Sequence, residues 1–133
     1  MRLWHKDLIP YLPRQQLLGQ WREVCAIARN IEKNGTPNHV LVNKIMDYPD
    51  DDFNTYGMMV YNEMIDRGYK AEWERFAEPR YWQEPSGKSD IFKNWHTNRY
   101  LRQCLSNLQE KADCGAIPQD EWERITDEWP WFE

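Results

Sequence analysis

At 133 residues the chain is one domain's worth, and a domain of that length buries roughly two-thirds of the surface its unfolded form exposes. Three cysteines (Cys25, Cys104, Cys114), an odd number with no C-x-x-C spacing, argue against a disulfide framework or a zinc knuckle; no apolar run approaches the ~18 residues of a membrane span, and no signal-peptide core opens the chain. A soluble, cytoplasmic protein of a reducing compartment is therefore expected.

The formal net charge of −5 speaks against a nucleic-acid partner, because neutralising phosphates takes Lys and Arg. Its distribution softens that objection. Residues 1–46 carry seven basic groups against three acidic ones, a local +4, whereas residues 112–133 carry seven acidic groups against one Arg, a local −6. What a polyanion meets is a face of the protein, and the N-terminal third can supply one.

In chain order, a Pro-punctuated and irregular lead (Pro10, Pro13) gives way to a helix predicted over Arg14 to Lys33. Leu17, Trp21, Val24, Ala28 and Ile31 recur there at helical period, and Asn34-Gly35 supplies a left-handed stop. The window "HVLVNKI" (39–45) is the one strand-like stretch. A second helix fits Thr55 to Arg67, with Gly57, Val60, Tyr61, Met64 and Ile65 on one face. Asp50, Asp51 and Asp52 just ahead of it suit a capped N-terminus better than a metal site. The aromatic-rich segment 73–95 reads as an ordered surface loop. A third helix is expected over Thr97 to Ala112 on the stripe Leu101, Cys104, Leu105, Leu108 and Ala112. A short fourth, opened by Pro118, carries Trp122, Ile125 and Trp129. The fold class is all-α: a single compact domain spanning residues 1–133, one long central helix packed by two further helices and a short C-terminal one.

Two features on this framework bear on chemistry. Arg22 and Glu23 point about 100° apart on the first helix, so they do not pair. Glu23 shares its strip with Gln16, Gly19, Ala26 and Asn30, which leave room beside the carboxylate. A mid-helix Gly19 costs about 1 kcal/mol relative to Ala and asks for a reason such as close approach of another backbone. Plain solvated surface and the edge of a site both remain open from periodicity alone. The second feature is the chain start. Arg2 is too bulky to favour removal of Met1, and an α-amine, with a pKa of about 7.7–8.0 against about 10.4 for Lys, is a ready nucleophile for a sugar carbon.

The residues "RLWHKDLIPYLPRQQLLGQWREV" resemble the start of the pyrimidine-dimer DNA glycosylase family, the dimer-specific endonuclease V enzymes. The likeness lies in an Arg after the first residue and, after a short lead, Gln15, Leu17, Trp21, Arg22 and Glu23 in the family's order and spacing. It continues in "NTYGMMVYNEMIDRGYKA" and more faintly in "WHTNRYLRQCLSNLQEK". Two positions depart from the pattern: Ala26 stands where the family carries a basic residue, with Arg29 a further turn on, and Gln16 where it carries His.

The resemblance implies an all-helical glycosylase and abasic-site lyase that excises UV-induced pyrimidine dimers without a cofactor or metal. The Met1 α-amine would attack C1′ of the damaged nucleotide, Glu23 would stabilise the cationic sugar and assist proton transfer at C2′, and Arg22 would hold the strand near the lesion. Arg2, Arg14, Gln15, Gln16, Arg22 and Arg29 are the residues expected to bind DNA. The expected partner is damaged double-stranded DNA, bound by a monomer, bent, and with a base extruded opposite the lesion. Two rivals stay open: a lyase or glycosylase for another damaged or modified base, and a non-catalytic helical module that binds DNA or protein. His5, His39 and His96, far apart in the chain and next to aromatics or caps, are not expected to ligate a metal; His39 or His96 could line the DNA groove, with solvent or capping roles favoured. Trp4, Trp73, Trp82, Trp95 and Trp122, with Tyr81 and Phe92, are expected to form core and inter-helix packing, and Cys25 to lie on an apolar flank without a reactive role.

Overall fold

The computed structural model describes residues 1–79 and 84–132. Five α-helices run through them: α1 (Arg14–Asn34), α2 (Asp50–Asp66), α3 (Glu74–Ala77), α4 (Asn98–Asp113) and α5 (Gln119–Glu128). The described residues contain no strand, in keeping with the all-α expectation. The long α1 is central; α2 and α3 pack on it, and α4 packs on α5.

The apolar stripe explains why α1 is buried where it is. Leu17, Trp21, Val24 and Ala28 all sink into the core, and Gly35 closes the helix in the left-handed region at φ 75°, its N–H bonded to the Ile31 carbonyl. In α4, Leu101, Cys104, Leu105 and Leu108 fall at i, i+3, i+4 and i+7 and are buried. The Thr97 hydroxyl caps that helix by accepting from the Tyr100 N–H. Pro118 stands immediately before α5, whose first turn carries Asp120 and Glu121 against the macrodipole.

Several expectations change. The lead is not irregular: Lys6–Tyr11 form a 3-10 helix, capped by the His5 side chain, which accepts the Asp7 N–H at 3.1 Å. Arg67 holds the far end of that helix by donating to the carbonyls of Leu12, at 2.8 Å, and Pro10, at 3.1 Å, while pairing with Glu63 at 2.7 Å. The strand-like window is a tight turn leading into a 3-10 helix, Asn43–Asp47. With no neighbouring strand to pair with, its amides close on the His39 carbonyl instead.

Helix α2 begins five residues earlier than its apolar pattern suggests, so Asp50–Asp52 form its first turn rather than a cap ahead of it. These carboxylates tie down the segment leading to α4. Asp51 accepts from the Ser86 N–H and hydroxyl, at 2.8 and 2.6 Å; Asp52, buried, accepts from the Phe92 N–H at 3.0 Å and pairs with Lys88 at 2.9 Å. On the predicted apolar face of α2, Val60 and Met64 are buried but Ile65 is exposed.

The segment 73–95 is more than a surface loop. It contains α3 and sends Phe76, Ile91, Phe92 and Trp95 into the core. Trp4 and Trp122 are buried as expected and Trp73 is half-buried, while Tyr81 and Trp82 lie outside the described residues. Nor is Gly19 the site of a close approach: a Cβ there would meet only the Arg22 guanidinium, at 3.9 Å. The close approach occurs at Gly57, where an added Cβ would lie 2.1 Å from the Phe76 ring.

Candidate active site

The first residues of the chain pass between α1, α2 and α4, and each of these helices holds them by a polar side chain. From α1, Gln20 accepts the Trp4 N–H at 2.7 Å and donates to the Arg2 carbonyl at 3.0 Å. From α2, the Tyr56 hydroxyl sits 2.6 Å from the Trp4 carbonyl and 2.9 Å from the Gln20 Oε1. From α4, the Tyr100 hydroxyl donates to the Leu3 carbonyl. An extended segment has no internal hydrogen bonds of its own, so these side chains satisfy backbone groups that burial of Leu3 and Trp4 takes out of water.

The same Gln20 amide reaches Glu23, one turn on along α1, at 3.3 Å from its Oε2. One nitrogen thus bonds both the Arg2 carbonyl and the Glu23 carboxylate, and the Met1 amine stands one residue before that carbonyl. Met1 remains open to solvent at 39% exposure, and Glu23 is half-buried. Burial holds the phenol of Tyr56 well above the usual tyrosine range, with the charges of Tyr100, Cys104 and Glu23 adding to it, so Tyr56 is a neutral hydrogen-bonding post rather than an ionised group.

The chain start opens onto a cleft of about 660 Å³ between α4 and the turn at residues 39–42. Arg2, Lys44, Arg99 and Arg102 line it together with Trp95 and Tyr100, and no carboxylate does. Three of these cations lie against aromatic faces: Arg2 at 5.3 Å from the Trp4 ring centre, Lys44 at 5.1 Å from Trp95 and Arg102 at 4.7 Å from Trp131. Such stacking limits their rotamers while leaving N–H groups free to donate.

The remaining expected DNA-binding residues lie elsewhere. Arg22 and Arg29, two turns apart on α1, are exposed and border a smaller hollow with Trp21, Cys25 and Arg75. Arg14, at the head of α1, gives its backbone N–H to Glu121 at 2.8 Å and rests its guanidinium 5.5 Å from the Tyr69 ring centre. Gln15 is exposed and Gln16 half-buried, with the Gln16 Oε1 shielded from solvent and without a hydrogen-bond partner. The geometry therefore links the Arg2 carbonyl to Glu23 through Gln20, with Met1 next in the chain, and sets Arg22 with Arg29 at a separate hollow.

Two histidines that are far apart in sequence meet in space. The rings of His5 and His96 stack with centres 5.2 Å apart, and Tyr100 lies beside both. His96 Nδ1 accepts the Lys6 N–H at 3.0 Å; burial, reinforced by His5, Lys6 and Lys44, pushes its pKa down to about 2. His39 takes a capping role, accepting the Leu41 N–H at 3.3 Å. Among the described residues no group of three or more His, Cys, Asp or Glu could hold a metal ion. All three cysteines are free thiols, and burial pushes Cys25 up to about 11, which keeps it protonated.

A family model described as pyrimidine dimer DNA glycosylase matches residues 1–75, more than half the chain. The chain belongs to that family. Its matched part contains the chain start, Gln20, Arg22, Glu23 and Tyr56, while Arg99 and Arg102 lie beyond it. No curated protein and no solved structure matches the chain. The candidate site also draws on residues outside the motif that carries the resemblance: Gln20, Tyr56 and the α4 cations. Gln20 carried a signal: it falls three residues after Leu17 and four before Val24, so it is a polar side chain on the buried side of an apolar helix. Nothing in the described residues is a helix long and apolar enough to cross a membrane.

Proposed function

We propose that this chain excises pyrimidine dimers from duplex DNA and then cleaves the strand at the abasic site, using the Met1 α-amine as nucleophile. The observation that carries this reading is the shared Gln20 amide, which ties the backbone beside that amine to the Glu23 carboxylate. The neutral amine adds to C1′, the damaged base departs with the bonding electrons, and opening of the sugar ring gives an imine between Met1 and the sugar. Loss of a proton from C2′ then expels the 3′ phosphate by β-elimination, and water releases the amine. Glu23 offsets the positive charge on the sugar and assists the proton transfer at C2′. Arg2 is positioned for the phosphate beside the lesion, and Arg22 for the strand at the separate hollow, with Arg29, Arg14, Gln15 and Gln16 as further contacts along α1.

Borohydride trapping of the untagged protein tests this on duplexes carrying one cyclobutane thymine dimer or one abasic site. An adduct on Met1 with both is the expected result. An adduct with the abasic duplex alone restricts the chain to lyase chemistry on another lesion, and no adduct from folded protein overturns the enzymatic reading in favour of a binding module.

A further inference from the structure

The turn that borders the cleft beside the chain start exposes two adjacent apolar side chains, Val40 at 82% and Leu41 at 50%. The turn itself is firmly built. The amides of Val42 and Asn43 both bond the His39 carbonyl, at 3.0 and 2.9 Å, and the Asn43 Oδ1 accepts the His39 N–H at 2.8 Å. Val42 and Ile45, just beyond, are buried and anchor it in the core. A turn held by these bonds thus keeps two adjacent apolar side chains in water, where burial stabilises neither. Facing them across the cleft are Arg99 and Arg102 on α4, with Lys44 beside the turn and Arg2 at the chain start.

We propose that this cleft receives one strand of the damaged duplex, with Arg99, Arg102 and Lys44 on its phosphates, and that Val40 and Leu41 enter the base stack as an apolar wedge. The proposal rests on the DNA-repair reading above and adds to it how the lesion is opened. Charge complementarity selects the occupant: a lining of four cations and no carboxylate suits a phosphodiester chain better than an apolar protein helix. An apolar wedge between base steps unstacks and kinks a duplex, at least cost where damage has already weakened stacking. The turn stands on the same cleft as Arg2, so opening the stack there exposes the sugar next to the chain start.

The test uses a dimer-containing duplex with 2-aminopurine beside the lesion, whose fluorescence rises when it unstacks. Wild-type protein is expected to raise it several-fold. The double variant V40S/L41S, altered only at exposed positions, should lose most of that rise while its binding keeps the wild-type salt dependence. The double variant R99A/R102A should bind more weakly, with the slope of log affinity against log salt shallower by about 2, since each lost phosphate contact is worth about 0.9. Unchanged fluorescence in V40S/L41S, or an unchanged slope in R99A/R102A, overturns the proposal. So does a wild-type dimer in sedimentation that V40S/L41S converts to monomer, because the occupant would then be a second copy of the chain. Borohydride trapping of the wild type separates this failure from the larger one: an adduct formed while the variants behave as wild type removes the wedge and leaves the DNA-repair reading, whereas no adduct removes both.

Discussion

Gln20 holds Glu23 against the start of the chain. Its amide nitrogen donates to the Glu23 carboxylate and to the Arg2 carbonyl, while its oxygen accepts the Trp4 N–H and lies within reach of the Tyr56 hydroxyl. A single buried side chain therefore sets both the position of the first residues and the rotamer of the carboxylate beside them. Replacing it by Leu leaves the Trp4 amide buried without a partner, which costs about 1–3 kcal/mol. It also frees Glu23 and the first two residues to drift. A displacement of about 1 Å can cost a catalytic constellation 10²-fold, so Gln20→Leu should reduce the rate of imine trapping by roughly that factor. Duplex affinity should change little, which single-turnover trapping alongside a binding titration will reveal.

Glu23→Gln separates chemistry from binding more sharply. The amide is nearly isosteric, and its carbonyl oxygen can still accept from Gln20, so the first residues stay in place. It carries no charge to set against the cationic sugar and takes no proton from C2′. Strand cleavage on a dimer duplex should fall by at least about 10²-fold. Binding of the same duplex should persist or tighten. Equal loss of both would mean that the carboxylate is structural.

How much of this was legible in the sequence depends on the range of the interaction. Helix α1 and its glycine stop were readable because period and cap are local. Residues 39–45 look like a strand because four apolar residues stand close together, yet only Val42 and Ile45 are buried, and the tight turn at 39–42 is closed by bonds that no periodicity records. The approach between Gly57 and Phe76, and the stacking of His5 on His96, join positions 19 and 91 residues apart in ways that no local pattern carries. Of the proposed site, Met1, Arg2 and Glu23 can be named from resemblance and spacing. Arg99 and Arg102 cannot, because they join the cleft only through the packing that brings α4 beside the chain start.

The two mid-helix glycines should respond in opposite directions. At Gly57 an added methyl would overlap the Phe76 ring, itself enclosed by Trp21, Phe53 and Trp73. Gly57→Ala should therefore destabilise by about 1–3 kcal/mol despite the better helix propensity of Ala. At Gly19 only a mobile guanidinium lies near, at ordinary contact distance. Gly19→Ala should stabilise by about 0.5–1 kcal/mol. Urea denaturation of both variants checks the pair.

Arg22 and Arg75 border the same hollow beside α1. If that face carries a phosphate, Arg22→Ala weakens binding and makes the salt slope shallower by about 0.9, and Arg75→Ala does the same. Both should leave trapping at saturating DNA near wild type, since excess duplex makes up for a lost phosphate contact. Titrations at several salt concentrations measure the slope directly.

The stacked histidines should make the fold lose stability in mild acid. Burial pushes His96 down to about 2 from the ordinary 6.5; His5 is also lowered, mainly by burial, with Lys6 lowering it further while Asp7 and backbone bonds from His96 and Thr97 oppose the shift. Both rings therefore stay neutral in the fold where the unfolded chain takes up protons. Between pH 6.5 and about 2 the unfolded state binds the extra proton on His96, so stability falls as pH falls, by up to about 1.4 kcal/mol for each pH unit. Moving from pH 7 to pH 5 should remove roughly 2 kcal/mol through His96 alone. That loss sets in well above the range in which Asp51 titrates, since its bonds from Ser86 hold its carboxyl below the usual 3.8. In His96→Asn, whose Oδ1 can take over the Lys6 N–H, the decline between pH 7 and pH 5 should be shallower. Urea midpoints at the two pH values, compared between the variant and wild type, decide whether the buried ring causes that decline.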